Sequence, residues 1–297
     1  MSHIPVDSAA FSKEAFFEEL VRPETASLLG EKTFPLDASH VNLYESIDST
    51  NAELLRRLEG AGALRDGNGE LTESGQQLHL SLAAAASQSA GRGRQGRAFY
   101  SPDRTGIYFS YSYIPKGGVQ HPSVYTVSSV VGVCRAIEKL YGVQTGIKWV
   151  NDIFVRGKKV CGILTEGFMR DGAVQAVVVG IGINIVFDTD APVELSGIAG
   201  GVVDRAVSGT DTRLQLLALC MQEIVHALSE DWHSVIDFYT ARSIVLGATL
   251  SVTPLAGASR DSYPATAIAI TDDAGLLVEL SDGTRRTLHS GEVTLHR

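Results

Sequence analysis

The sequence is short of the features that mark several protein classes. It has three cysteines in 297 residues, Cys134, Cys161 and Cys220. Their number is odd and each sits in apolar sequence, which argues against a disulfide framework and for reduced core thiols in a cytoplasmic protein. No run of about 18 apolar residues occurs, so no membrane span is expected. The eight histidines show no paired metal spacing, and no protein-held metal is assigned. Met1-Ser2-His3-Ile4-Pro5 has neither a basic nor an apolar stretch, so no secretory leader is expected. Positive charge is also scarce: 25 Lys and Arg stand against 34 Asp and Glu, a net charge of −9. That balance argues against bulk electrostatic binding of nucleic acid.

Against this acidic background one stretch stands out. Gly91-Arg92-Gly93-Arg94-Gln95-Gly96-Arg97 packs three arginines and three glycines into seven residues. Glycine lets backbone approach a ligand closely. Arginine supplies a permanent charge and a planar fork of donors suited to phosphate and carboxylate. The stretch is expected to bind a small, dense anion and to be mobile until that anion arrives. Its spelling also satisfies G-x-G-x-x-G, but a dinucleotide fold needs a helix opening inside the motif and an acid about 20 residues on. Arg97-Ala98-Phe99-Tyr100-Ser101-Pro102 does not read as a helix, and no acid lies between Arg104 and Gln120. A kinase glycine loop is excluded as well, since no V-A-I-K, H-R-D or D-F-G follows.

The rest of the chain reads as alternating elements. Residues 1–40 are weakly patterned, with Ser12 capping a short helix that carries Phe16, Phe17 and Leu20 and stops at Arg22-Pro23. Little contribution to the core is expected from them. Thr50 and Glu53 suggest a capping box for a helix bearing Leu54, Leu55 and Leu58. Residues 60–77 read as a long exposed loop, and the alternation of Leu78, Leu80 and Leu82 as a strand. Ile107 to Tyr113 alternates as a strand. Pro122 opens a helix that ends at Tyr141-Gly142. Strands follow at Val143–Trp149, Ile153–Val155 and Lys159–Leu164, the last two joined by Arg156-Gly157-Lys158. Arg170-Asp171-Gly172 turns the chain into a strongly apolar run, 176–185, expected as a buried central strand. Helices are expected from Thr210 or Asp211 to Asp231 and from Ser234 to Leu246. Beyond Gly247, short strands and turns suggest a small β-barrel.

The order of the motifs is more specific than any one of them. Ser49-Thr50-Asn51 comes first. Gln88-Ser89-Ala90-Gly91-Arg92-Gly93-Arg94-Gln95-Gly96-Arg97 and Ser101-Pro102 follow. Then come Lys148-Trp149-Val150-Asn151-Asp152, Lys159-Val160-Cys161-Gly162-Ile163-Leu164 with Glu166, and Gly180-Ile181-Gly182-Ile183-Asn184. This succession resembles the biotin protein ligases over about residues 46–297. The resemblance implies an α/β (α+β) fold. Its catalytic domain would hold a mixed sheet like that of class II aminoacyl-tRNA synthetases (41–246), between an N-terminal extension (1–40) and a small SH3-like barrel (247–297). It implies a ligase that joins biotin to ATP as biotinyl-5′-AMP, with Mg²⁺ present, and passes biotin to a lysine of a biotin carboxyl carrier protein or carboxylase carrier domain. Lipoate–protein ligases share that chemistry but usually spell the loop differently.

By the same resemblance, Ser49, Thr50, Asn51, Gln88, Gly91, Arg92, Gly93, Arg94, Lys148 and Gly162 would bind biotin. Arg94, Arg97, Phe99, Lys148, Asn151 and Asn184 would bind ATP. Lys148 and Arg92 would carry catalysis, Lys148 by bridging the carboxylate and the α-phosphate. The sequence departs from the family at Val150, where proline is usual, and at Phe99, where tryptophan is common. The DNA-binding domain of bifunctional members has no counterpart in the residues before the first motif, so repressor activity is not expected. The family often forms homodimers, which nothing in these residues selects.

Overall fold

The computed structural model describes residues 11–30, 34–119, 121–204, 212–254 and 261–295. Two short helices come first, α1 (Lys13–Leu20) and α2 (Pro23–Leu29). The Ser12 hydroxyl accepts from the Ala15 N–H at 3.2 Å, so the expected cap is present. Arg22-Pro23 ends α1 but also starts α2, because proline suits the first helical position. The segment contributes more to the core than its weak pattern suggests. Phe11, Phe16, Leu29 and Leu36 are buried, and Phe16 packs edge-on against Phe17 and Phe34.

The main body alternates strands and helices: β1 (Val41–Ile47), α3 (Thr50–Gly60), α4 (Glu73–Leu78), β2 (Leu82–Gln88), β3 (Gly106–Tyr113), α5 (Pro122–Tyr141), β4 (Gly146–Lys148), β5 (Asp152–Val155), β6 (Lys158–Arg170), β7 (Ala173–Asn184), α6 (Val193–Ser196), α7 (Arg213–Ser229) and α8 (Trp232–Ala241). The seven strands form one sheet in the order β1-β2-β3-β7-β6-β5-β4. β1 and β2 are parallel and the other neighbours antiparallel, so the sheet is mixed as expected. The apolar run became β7, the middle strand. Its alternate side chains feed two cores. Val177, Val179, Ile181 and Ile183 join the buried residues of α5 and α7, while Ala176 and Val178 join Leu54 and Leu58 of α3. Strand periodicity thus places a helix pair on one face and α3 on the other.

Several boundaries differ from the sequence reading. The leucine alternation at 78–82 is not a strand. Leu78 ends α4, Leu80 turns the chain at φ 59°, and the strand starts at Leu82. Residues 60–77 are not one exposed loop, because Thr72 caps α4, Leu64 is buried, and the Arg65 guanidinium donates to Gln175 at 2.8 Å. Of the expected strand 143–149 only Gly146–Lys148 pairs. The last helix begins earlier and ends sooner than expected, capped by Asp231 and closing at Ala241. Thr212 stands at the N-cap of α7; Thr210 and Asp211 lie outside the described residues.

The C-terminal part is a five-stranded antiparallel sheet of β8 (Thr249–Thr253), β9 (Tyr263–Ile270), β10 (Leu276–Glu279), β11 (Arg285–Leu288) and β12 (Glu292–Leu295), in the order β11-β10-β9-β8-β12. Leu250, Val252, Ala267, Leu276, Val278 and Val293 form its interior. It touches the main body at a telling place: the Trp149 indole N–H donates to the Ala274 carbonyl at 3.0 Å. Among the described residues no helix is long and apolar enough to cross a membrane.

Candidate functional site

The site lies on the α3 face of the sheet, where α3 begins and stops covering the strands. Ser49, not Thr50, is the N-cap of α3, its hydroxyl accepting from the Ala52 N–H. The expected Thr50–Glu53 capping box does not form. Glu53 instead pairs with Arg57 at 2.8 Å and Arg56 at 2.9 Å. That shift of one residue releases Thr50 for other work. Its N–H donates to the Gln88 side-chain oxygen at 2.9 Å. Its hydroxyl lies 2.7 Å from that of Ser110, which donates to the Asn51 amide oxygen at 2.5 Å. Ser49, Thr50 and Asn51 are all buried. They form a pre-set polar wall at a helix N-terminus, where the helix dipole favours negative charge.

The arginine-glycine stretch folds as a small hairpin. The Gly93 N–H donates to the Arg97 carbonyl at 2.7 Å and the Phe99 N–H to the Gly91 carbonyl at 2.9 Å. Gln95 and Gly96, at φ 58° and 72°, make the turn. Gly91 lies beneath it, where a Cβ would fall 2.4 Å from the Phe99 carbonyl oxygen, so no larger residue fits. Each arginine reaches a different anchor. Arg92 pairs with Glu166 at 3.2 Å. Arg94 donates to the Asn151 side-chain oxygen at 2.8 Å and to the Gly291 carbonyl at 2.9 Å. Arg97 pairs with Glu292 at 2.8 Å. The hairpin therefore joins β6, the Trp149 turn and the C-terminal sheet.

The floor is made of glycines. Gly162 on β6 pairs with Gly182 on β7, and the Phe99 ring lies over both. A Cβ at Gly182 would meet that ring at 2.4 Å, and one at Gly180 would meet the Asn51 amide oxygen at 2.0 Å. Lys148 stands at the end of β4. Burial lowers the pKa of its ammonium, with Lys159 and Arg94 acting the same way against Asp152 and Glu292. Asp152 is paired with Lys159 at 2.6 Å rather than with Lys148. The Asn151 amide donates to the Ile163 carbonyl at 2.7 Å, which fixes the side chain that receives Arg94.

A cavity of about 600 Å³ gathers Ser49, Thr50, Asn51, Gln88, Arg92, Gly93, Arg94, Arg97, Phe99, Lys148, Asn151 and Gly162. Gly91 lies under the hairpin rather than on this wall. Asn184 is not on it either; it faces a neighbouring space of about 170 Å³ that shares Phe99 and Lys159 with the first. Sequence reasoning missed Glu292, Val293, Thr294 and Leu295, which line the main cavity from the C-terminal sheet. It also missed Ser110 and Lys159 as site residues. Ser110 is a serine on the inner face of a buried strand, and that was a usable signal. Among the described residues no group of three or more His, Cys, Asp or Glu could hold a metal ion.

A mixed sheet with a glycine floor, a helix N-terminus at one side, a lysine at the other and three arginines above defines a class of protein whose site is suited to anionic ligands. Comparison with known proteins makes that class specific. The Biotin/lipoate A/B protein ligase family matches residues 68–184. The bifunctional ligase/repressor BirA of Bacillus subtilis is 30% identical over 218 residues, covering 72% of this chain and 66% of that protein. The biotin–[acetyl-CoA-carboxylase] ligase of Mycobacterium tuberculosis is 29% identical over 212 residues, covering 69% of this chain and 71% of that one. The structure of the biotin protein ligase from Aquifex aeolicus in complex with biotin and ATP superposes with a TM-score of 0.65. It covers 86% of this chain and 99% of that one at 23% identity. The chain belongs to the biotin/lipoate A/B protein ligase family. It spans about two thirds of the length of the BirA proteins of the two Bacillus species that it matches.

Proposed function

We propose that this chain is a biotin–protein ligase acting in two steps. A biotin carboxylate oxygen attacks the α-phosphorus of ATP; the bond to the β-phosphate oxygen breaks, and pyrophosphate leaves with biotinyl-5′-AMP formed. A lysine amine of a carrier domain then attacks the acyl carbon. The bond to AMP breaks, the amide forms, and the amine's surplus proton passes to solvent. The observation that carries this reading is the convergence of Lys148, the arginine hairpin and the start of α3 on one cavity. The named relatives favour biotin over lipoate.

In this reading Ser49, Thr50, Asn51 and Gln88 hold biotin against Gly162, with Arg92, Gly93 and Arg94 closing above it and Gly91 supporting the hairpin from beneath. Lys148 bridges the carboxylate and the α-phosphate. Fixed cations of this kind stabilise charge that spreads over phosphoryl oxygens in the transition state. Arg94, Arg97, Phe99, Asn151 and Asn184 take the nucleotide, Asn184 from the adjoining space. Mg²⁺ enters with the triphosphate as part of the substrate. Residues 41–246 serve as the catalytic unit, and the C-terminal sheet supplies one wall. The partner is a biotin carboxyl carrier protein. Exchange of labelled pyrophosphate into ATP is expected with biotin and not with lipoate; exchange with lipoate alone would reassign the substrate.

The closed hairpin has a second use, since the mixed anhydride hydrolyses and acylates amines unless it is enclosed. Arg94 is tethered at two points, to Asn151 beside the Trp149 turn and to Gly291 at the edge of the C-terminal sheet. Arg94→Gly is expected to raise the KM for ATP and, once ATP is saturating, to release the adenylate it forms roughly ten- to a hundredfold faster, since charge-assisted bonds are worth about 1.5–3 kcal/mol each. A streptavidin blot of carrier and albumin in one tube reads this out. Albumin labelled by the variant and not by the parent is the expected pattern; a variant that makes adenylate yet labels only the carrier would refute the tether's role.

A further inference from the structure

Glu166 has no obvious reason to be where it is. It lies on β6 on the same face as Gly162, Leu164 and Phe168, the face that packs toward α3. An apolar residue would serve that packing, and a carboxylate there has to be compensated. It does not line the cavity. Its two oxygens instead reach two residues that do. Oε2 accepts from the Asn51 amide nitrogen at 2.7 Å, and Oε1 faces the Arg92 guanidinium at 3.2 Å. The Asn51 amide is thereby fixed from both ends, its oxygen by Ser110 and its nitrogen by Glu166.

We propose that Glu166 is a positioning residue that docks the Arg92 end of the hairpin onto the first turn of α3. It acts through Arg92 on closure and through Asn51 on the polar wall; that this end is the biotin end rests on the function proposed above. The side chains of Arg92 and Glu166 are 47% and 24% exposed, so the pair is solvent-screened and contributes little to global stability. A weak, reversible contact is what a hairpin needs if ligand must enter and leave beneath it.

Glu166→Gln tests this, because glutamine keeps the shape and an acceptor for Asn51 but loses the charge facing Arg92. In the unliganded variant, amide hydrogen exchange at residues 91–97 is expected to rise roughly fivefold, the upper worth of an exposed ion pair, with α5 unchanged. Unchanged exchange at 91–97 overturns the docking, whatever the enzyme's substrate proves to be. In pyrophosphate exchange the biotin KM is expected to rise by a similar factor with the ATP KM unchanged. The same substitution placed in an Arg92→Gln background is expected to add nothing. Additive losses, or equal rises in both KM values, overturn the route through Arg92. A parent protein that shows no exchange with biotin sinks the functional reading and leaves the hydrogen-exchange result to judge the docking.

Discussion

Lys148→Ala is expected to fold and to lose adenylate formation by about 10²–10³ in rate, the usual effect of removing one transition-state donor. The position supports an effect of this size. The ammonium is half-buried, lines the cavity, and lies beside Asp152, whose carboxylate Lys159 occupies at 2.6 Å. Lys148 is therefore left for a ligand's charge. Burial lowers its pKa, so the cation is lost at lower pH than for a lysine in water. Since the proposed step needs the cation, the alkaline limb of pyrophosphate exchange at sub-saturating biotin and ATP, which reports the free enzyme, should begin below the ordinary lysine range. Pyrophosphate exchange of the alanine variant decides the matter, and near-parental exchange would remove Lys148 from the first step.

Phe16→Ala is expected to destabilise the whole protein by about 3–5 kcal/mol, the range for truncating a buried phenylalanine. The ring is fully buried, with Phe17 and Phe34 edge-on to it at 5.5 and 5.6 Å. Helix α1 also packs on α7, whose other side meets α5. A hole under α1 should therefore be felt at the centre of the molecule. Thermal unfolding should show a midpoint lower by roughly 6 °C or more. Val21→Ala, on a side chain 78% exposed, is the control. Equal midpoints for the two variants would mean that the N-terminal helices unfold separately from the sheet.

What could be read from the sequence was carried by local chemistry. Pro122 and Gly142 bracket α5 because each has a backbone reason to be there, Gly142 at φ 64°. Arg156-Gly157 and Asp171-Gly172 form their turns with both residues at positive φ. The motif residues that met in the cavity were legible through family resemblance rather than through pattern. What failed was of two kinds. Leu78-Leu80-Leu82 imitates a strand over too few residues to be told from a helix end followed by a turn. Gly291 and Glu292 act through partners far along the chain, and no local spacing announces them; the spacing did show Phe16 on a helix, but not its complete burial. Thr50 shows a subtler limit: the resemblance marked it as a site residue, while the local pattern placed the cap on it, one residue past the true N-cap at Ser49.

The glycine floor restricts how this site could change over generations. Gly162, Gly180 and Gly182 lie in ordinary strand backbone, so what bars a side chain there is the neighbour and not the torsion angle. Gly182 is matched to Phe99 and Gly180 to Asn51. Neither glycine can gain a side chain while its partner keeps its place, and contacting residues of this kind are coupled rather than additive. A lineage that altered the floor would have to pass through the smaller partner first, trimming position 99 before filling position 182. The order of the two steps is set by a methyl group that has nowhere to go.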